Sequence, residues 1–445
     1  MKPPVAKRER KVTKIHGREL IDEYHWLRDR SEEKSKEIIE YLKAENDYTE
    51  AVMKPREGLT ETIYDEIVGR IKQTDESVPY KKGDYWYYSK TFEGKQYPVY
   101  YRASSFEKEN SEVLIDQNEL AGDHEFYAIS AFRVSDDGNL LAFSDDTTGY
   151  RQYTLRIKDL RSGEFLATEI ERVVSVVWAT NSRHIFYVQE EEVTKRNDTF
   201  WRYDLETDES ELIRKEDDVL FNMWASRSRD KKFIYLNTSA ATMDEYRFIS
   251  ADKPESDWSL VLPREEGHEY SVDNYNGRFY ITTNRDAENF RIVMTDVDAP
   301  SEGWKDFVAH DPSIKIEGID FFEGFGVVSE VEKGLEYLRV IDMESGDSDR
   351  IDTPESVYSM GISGGNAEFQ TSKVRYSYSS MITPESVFEY DMKTAETKLL
   401  KQQEILGGYY KTNYETKRVW AEARDGVKVP VSIVMKKGTK LDGSA

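Results

Sequence analysis

The sequence predicts an all-β fold, a seven-bladed β-propeller, with other structure at either end. Three observations lead there. First, Arg156-Ile157-Lys158-Asp159-Leu160-Arg161-Ser162-Gly163-Glu164 keeps returning in outline. It recurs as Tyr203-Asp204-Leu205-Glu206-Thr207, as Ile341-Asp342-Met343-Glu344-Ser345 and as Tyr390-Asp391-Met392-Lys393-Thr394. The Asp residues are spaced 45, 138 and 49 apart, and 138 is three times 46. Weaker copies fill the gap at Ile249–Asp252 and Thr295–Asp298. A period of roughly 45 residues is that of a propeller blade, with about four strands each.

Second, polar turns recur out of phase with the first repeat. They are Ser135-Asp136-Asp137-Gly138, Thr180-Asn181-Ser182, Ser228-Arg229-Asp230 and Asn274-Tyr275-Asn276-Gly277. Each precedes a short apolar run, such as Leu140–Phe143 or Phe233–Leu236. A turn followed by four or five β-forming residues reads as a hairpin between inner strands. Third, between about Glu76 and Gln403 there is room for seven such units. They begin near Val78, Phe126, Val173, Phe221, Tyr270, Ile316 and Val357. A meandering β-sandwich would not generate two interleaved signals of one period.

Residues 1–72 lack the repeat. Ile38, Leu42, Glu45, Tyr48 and Val52 keep helical spacing up to Pro55, and Leu59, Ile63, Ile67 and Ile71 make a second helix at i, i+4. Two helices with one apolar face each must cover something. The propeller follows at 73–405. From 406 to 445 the pattern changes again. Val419, Ala421 and Ala423 alternate, Asp425-Gly426 turns, and Val427, Val429, Val431, Ile433 and Met435 alternate back. Pro430 places its strand near a sheet edge. A lone hairpin is marginal in water, so this one reads as the opening of a larger sheet.

Composition narrows the function. Net charge is 62 − 86 = −24, which argues against nucleic acid as a partner. Twenty-nine Tyr, 19 Phe and 8 Trp supply enough apolar surface for a folded chain. With no Cys there is no disulfide, thiolate metal site or cysteine nucleophile. The basic N-terminus has no apolar core of a secretory signal, and no apolar run approaches the ~18 residues of a membrane span. The expectation is a cytoplasmic protein with no membrane partner and no cofactor.

No catalytic set emerges from the residues alone. Gly361-Ile362-Ser363-Gly364-Gly365 matches G-x-S-x-G, but a nucleophile elbow needs a strand before the Ser and a helix after it. Here the motif falls where a blade-seven turn belongs, so Ser363 reads as a turn residue. The six histidines (16, 25, 124, 184, 268 and 310) form no paired motif and read as structural or surface groups. No metal-ligand pattern is present.

Several stretches identify a family. Asp22-Glu23-Tyr24-His25-Trp26-Leu27-Arg28-Asp29 resembles the N-terminal signature of the prolyl oligopeptidase family of serine peptidases, in particular its oligopeptidase B branch. His124–Tyr127, Arg151–Tyr153, His268–Asp273, Tyr376–Ser386 and Ala423–Ser432 match that branch in order. The resemblance implies that the propeller caps an α/β-hydrolase domain, that the N-terminal helices pack on that domain, and that 406–445 is its truncated start. It implies a substrate-gating propeller in an enzyme that hydrolyses short basic peptides after Arg or Lys. The catalytic Ser, Asp and His would lie beyond residue 445, so this chain alone would be inactive. The protein would be a monomer whose propeller partners its own hydrolase domain in cis. Glu125 and Arg151 match positions that face the hydrolase domain, with Arg151 pairing acids beside the catalytic His. Two other functions compete: a stand-alone propeller that binds peptides or proteins as a scaffold, and a prolyl oligopeptidase with post-proline specificity. Unburied helices and hairpin speak against the first, the matching stretches against the second.

Overall fold

A computed structural model describes residues 2–29 and 31–444. Seven antiparallel sheets follow one another along the chain, six of four strands and the first of five, because its opening strand is broken in two. Their strands span Asp75–Asp116, Ala128–Ile170, Val173–Lys215, Asn222–Leu262, Tyr270–Val308, Ile314–Arg350 and Ser359–Gln402, and are called blades one to seven. Each blade start lies within three residues of its expected position.

The repeated Asp now has a physical role. It ends the third strand of its blade, and its carboxylate accepts the amide two residues on: Arg161 on Asp159 at 2.9 Å, Glu206 on Asp204 at 2.9 Å, Glu344 on Asp342 at 2.9 Å and Lys393 on Asp391 at 3.0 Å. The amide four residues on closes the turn on the Asp carbonyl, as Gly163 does on Asp159 at 2.8 Å. That fourth residue is left-handed in every copy: Gly163, Asp208, Gly346 and Ala395. The repeat is therefore an Asx-type turn joining strands three and four. The second repeat is the turn between strands one and two. In blades two and four its Ser hydroxyl accepts the returning amide, Leu140 on Ser135 and Phe233 on Ser228, each at 3.0 Å.

Between neighbouring blades the alternating inward faces interlock as separate apolar clusters. Leu141 and Phe143 of blade two pack on Leu114 and Ile115 of blade one, and Phe186 and Phe200 of blade three on Met223 and Ile234 of blade four. Such clusters join blades one through seven in sequence. None among the described residues joins blade seven back to blade one. That seam is polar: Arg375 Nη1 donates to the Pro79 carbonyl at 2.6 Å, Glu368 accepts the Gly83 amide at 2.7 Å, and Lys401 pairs with Asp75 at 2.5 Å. Gly365, at φ 97°, lets the backbone pass where a Cβ would lie 3.0 Å from the Tyr80 Cβ. A cavity of about 420 Å³ remains beside it, between Lys81 and Trp86 on one side and Lys373 and Glu389 on the other.

Two compact units are distinguished by their internal contacts: residues up to Lys72 with Ile405–Gly408, and Gln73–Glu404 with Tyr409 onward. The first holds helix α1 (Glu32–Met53), a 3-10 turn over Lys54–Arg56 at Pro55, and helix α2 (Glu57–Val68). Gly69 ends α2, donating to the Asp65 carbonyl at 2.8 Å, so Ile71, expected within this helix, lies beyond its end and bridges Ile405 instead. The hairpin Lys11–Ile15 with Arg18–Asp22 was not expected from the sequence. His16 and Gly17, both left-handed, supply its two-residue turn. The signature following it is a clamp: Trp26 is buried and donates to the Lys7 carbonyl at 2.8 Å, while His25 Nδ1 lies 3.1 Å from the Glu9 carbonyl.

In the second unit the hairpin Tyr414–Glu422 with Lys428–Lys436 follows the last blade. Its connection is wider than Asp425-Gly426 alone, because the Ala423 amide reaches the Val427 carbonyl at 2.9 Å. Its root is tied to the propeller: the Tyr409 hydroxyl donates to the Ile382 carbonyl at 2.6 Å, and Lys411 pairs with Glu355 at 2.5 Å.

Candidate functional site

Antiparallel alternation sorts the loops of the ring. The first strand of every blade starts at one rim, where the ring begins at Gln73 and ends at Glu404. Loops between strands two and three, and the links between blades, return to that near rim. Turns one–two and three–four lie on the far rim.

Glu125 and Arg151 both lie on the near rim, on neighbouring loops. Glu125 is in the link from blade one to blade two, after the short helix Gln117–Ala121 that Asp116 caps. Arg151 is in the loop between strands two and three of blade two. That loop winds around the buried Asp146 carboxylate, which accepts the Thr148 and Arg151 amides at 2.8 Å each. The winding leaves Arg151 left-handed at φ 61° and pushes Tyr150 into solvent, 78% exposed. Phe126 packs against Gly149, where an added Cβ would lie 3.8 Å from its ring, and so holds the two loops side by side. Underneath, the Tyr127 hydroxyl donates to Asp145 at 2.7 Å and Arg156 pairs with the same carboxylate at 3.1 Å. The loops that carry Glu125 and Arg151 thus lie side by side, and the two side chains are not paired with each other. Both are exposed, and neither side chain has a partner among the described residues.

The near rim is also acidic. The link between blades three and four carries Glu216, Asp217 and Asp218, and the next link Glu265, Glu266 and Glu269. Thr194 and Val193 amides, with the Thr194 hydroxyl, hold Glu191 down at about 2.

A lumen of about 710 Å³ lies at the centre of the ring, lined by residues of all seven blades from Lys82 to Ala367. Trp224, half exposed, projects into it. Burial in the lumen wall pushes Asp273 up to about 7 against the opposing Asn274 amide, and pushes Lys82 down to about 8. Asp320 is likewise raised by burial, with Arg229 opposing. Sequence reasoning missed this lumen cluster. Its members sit in or beside the polar turns, where they read as ordinary turn residues.

Ser363 is not part of a nucleophile elbow. It follows the strand Ser359–Ile362, its hydroxyl lies 3.1 Å from the Gly364 carbonyl, and the chain goes on through a loop to the strand Lys373–Ser379 rather than into a helix. Among the histidines, His268 is buried, with Nε2 2.8 Å from the Thr283 hydroxyl, and burial lowers its basicity. His184 is buried against Asn181 at 2.9 Å and is lowered for the same reason. His310 accepts the Asn289 amide at 3.4 Å, and His124 is exposed. Among the described residues no group of acidic and histidine side chains could hold a metal ion.

The profile of the prolyl oligopeptidase N-terminal β-propeller domain matches residues 3–403. The chain belongs to the prolyl oligopeptidase family. Among its relatives, Dipeptidyl aminopeptidase BI of Pseudoxanthomonas mexicana is 42% identical over the whole chain, and Protease 2 of Moraxella lacunata 30%. This chain covers 64% and 65% of those two proteins, so it spans just under two-thirds of their length. Among solved structures, oligopeptidase B from Trypanosoma brucei, closed with covalently bound antipain, superposes with a TM-score of 0.89 at 27% identity, covering 99% of this chain and 66% of that one. Oligopeptidase B from Leishmania major gives 0.91 at 25%, with the same coverage. The family members in this set are peptidases, and the seven-bladed propeller is their shared N-terminal domain.

Proposed function

We propose that this chain is the propeller portion of a serine oligopeptidase that hydrolyses short peptides after Arg or Lys in the cytoplasm. One observation carries the reading: the whole chain aligns at 42% identity with a peptidase of which it covers 64%. In the intact enzyme the remaining third would supply a Ser, activated by a His that an Asp orients, for acyl-enzyme chemistry. The propeller would restrict access, admitting peptides and excluding folded proteins, and this chain alone would be inactive. Glu125 and Arg151, unpaired on the near rim, would form ion pairs with the hydrolase domain.

The name of that relative favours a second mode, release of dipeptides from a free N-terminus. A matched pair of peptides cut after Arg, one with a free and one with an acetylated N-terminus, separates the two. Equal turnover supports internal cleavage, and loss of turnover on acetylation supports dipeptide release.

The first test is the native protein, isolated from its own cells through propeller peptides. An intact mass well above 51.9 kDa, with Arg- or Lys-directed hydrolysis blocked by a serine-reactive fluorophosphonate, is the expected result. A mass of 51.9 kDa with no hydrolysis would end the peptidase reading and leave a binding scaffold.

A further inference from the structure

Toward the near rim, the apolar cluster shared by blades five and six comes to an end. Val308 and Ile316 close it, and they also line a cavity of about 460 Å³. One wall of this cavity is apolar. Phe307 and Val308 come from the last strand of blade five, Ala309 from the link, and Ile314 and Ile316 from the first strand of blade six. The link is pinned in place. The Asn289 side chain donates to the Pro312 carbonyl at 2.7 Å, and the Asn289 carbonyl accepts the Ile316 amide at 3.0 Å.

The rest of the lining is charged and held by a buried group. Glu330, on the second strand of blade six, leaves only 2% of its side chain in solvent. One of its oxygens accepts from Arg339 Nε at 2.6 Å, the other from Arg350 Nε at 3.0 Å and Nη2 at 2.9 Å. Every nitrogen of the Arg350 guanidinium is engaged, because its Nη1 donates to Glu332 at 2.7 Å. Arg339 differs. Its Nε is held, but Nη1 and Nη2 have no partner among the described residues, and the side chain lines the cavity. Asp311, the other acid on the lining, is taken up by its own turn, accepting the Ser313 amide at 2.8 Å and hydroxyl at 2.7 Å. A guanidinium anchored through Nε by a buried carboxylate holds its remaining N–H groups in a set direction. That is the condition for bidentate capture of a planar carboxylate.

We propose that this cavity binds a small monocarboxylate with an apolar body. Arg339 takes the carboxylate, and the wall from Phe307 to Ile316 takes the body. The volume falls within the range of about 300–1,000 Å³ usual for small-molecule sites. A medium-chain fatty acid and the C-terminus of a short apolar peptide both carry this chemistry. The site is built by blades five and six and does not rest on the peptidase reading.

Calorimetric titrations of the chain with octanoate and with N-acetyl-leucyl-leucine test the proposal, with octanol and the peptide amide as neutral counterparts. At least one carboxylate should bind at a single site, and its neutral counterpart should bind at least about tenfold more weakly, having lost the charge-assisted fork. Binding of octanoate alone would make the occupant a fatty acid, and binding of the free peptide alone would make it a peptide C-terminus. Arg339→Lys keeps the charge but loses the fork, and should weaken carboxylate binding about tenfold. Ala309→Trp, on the exposed link, should fill the cavity and abolish binding. Circular dichroism identifies a variant that fails to fold, and the comparison with neutral counterparts needs no variant. The proposal is overturned if neither carboxylate binds, or if charged and neutral ligands bind alike. Carboxylate binding unchanged in the folded variants would place the ligand elsewhere and overturn it too.

Discussion

Asp273 shows how a single half-buried carboxyl in the lumen wall can set a pH dependence. Its folded pKa, pushed up to about 7 by burial, lies above the ordinary value of 3.8. The native state therefore holds a proton that the unfolded chain has released, and stability declines as pH rises through this window. Asp273→Asn removes the term. Melting curves from pH 4 to pH 8 should show the variant gaining on the parent as pH rises to about 7, then running parallel to it. A constant difference across the range would mean that Asp273 stays ionised. Arg151 is the opposite case, exposed and unpaired. Arg151→Ala should change stability by no more than about 1 kcal/mol, as for surface charges generally. If the proposed peptidase function holds, the same change in the intact enzyme should lower kcat/KM for basic peptides clearly. Wild-type kinetics would remove Arg151 from the site. Glu125 and Arg151 come from the family resemblance alone, since an exposed Glu before a Phe and an Arg after a Tyr carry no chemistry of their own. Asp273 and Asp320 were not legible at all. Their burial arises when several blades converge, and no local pattern encodes convergence.

At the scale of elements, the seam between blades seven and one differs from the other six interfaces. Its flanking strands are short: blade seven opens with Ser359–Ile362, and the first strand of blade one is broken into Asp75–Glu76 and Tyr80–Lys82. Ion pairs and single hydrogen bonds hold it where the others have apolar clusters. Amides of those short strands should exchange with deuterium before the second strands of blades two to six. Mutation should show the same asymmetry. Leu155→Ala, at a fully buried side chain between blades two and three, should cost about 2–5 kcal/mol, whereas Lys401→Met at the seam should cost about 0–1 kcal/mol. Equal losses in denaturant titrations would contradict this account. The blades themselves were readable because blades two, three, six and seven use the same Asx-type turn at the same place, and that requirement repeats in the sequence. The hairpin before the signature went unread because its strands alternate weakly and its His16-Gly17 turn lacks an Asn or Asp. Ile71 misled because helical spacing persists past Gly69, where the helix stops.

For the whole molecule the informative surface is apolar. On α2, Leu59, Ile63, Tyr64 and Ile67 are 47–64% exposed. On the last hairpin Val419, Trp420, Val429, Val431 and Val434 are 37–45% exposed, and most of its residues on both faces lie open. A folded chain rarely leaves contiguous apolar faces in water, and a two-stranded sheet open on both sides is marginal there. If the remaining third of the relatives' length normally covers these faces, the chain alone should bind 1-anilinonaphthalene-8-sulfonate strongly and self-associate as its concentration rises. Val431→Thr with Val434→Thr, and separately Ile63→Gln with Ile67→Gln, should each reduce dye binding while leaving the near-ultraviolet spectrum of the propeller aromatics intact. Co-expression with the part of Dipeptidyl aminopeptidase BI that this chain does not cover should abolish dye binding and, if the proposed function holds, give hydrolysis at the same time. A chain that stays monomeric and dye-silent by itself would show that these faces need no cover. The propeller would then have to be understood without a hydrolase domain, whatever its relatives carry.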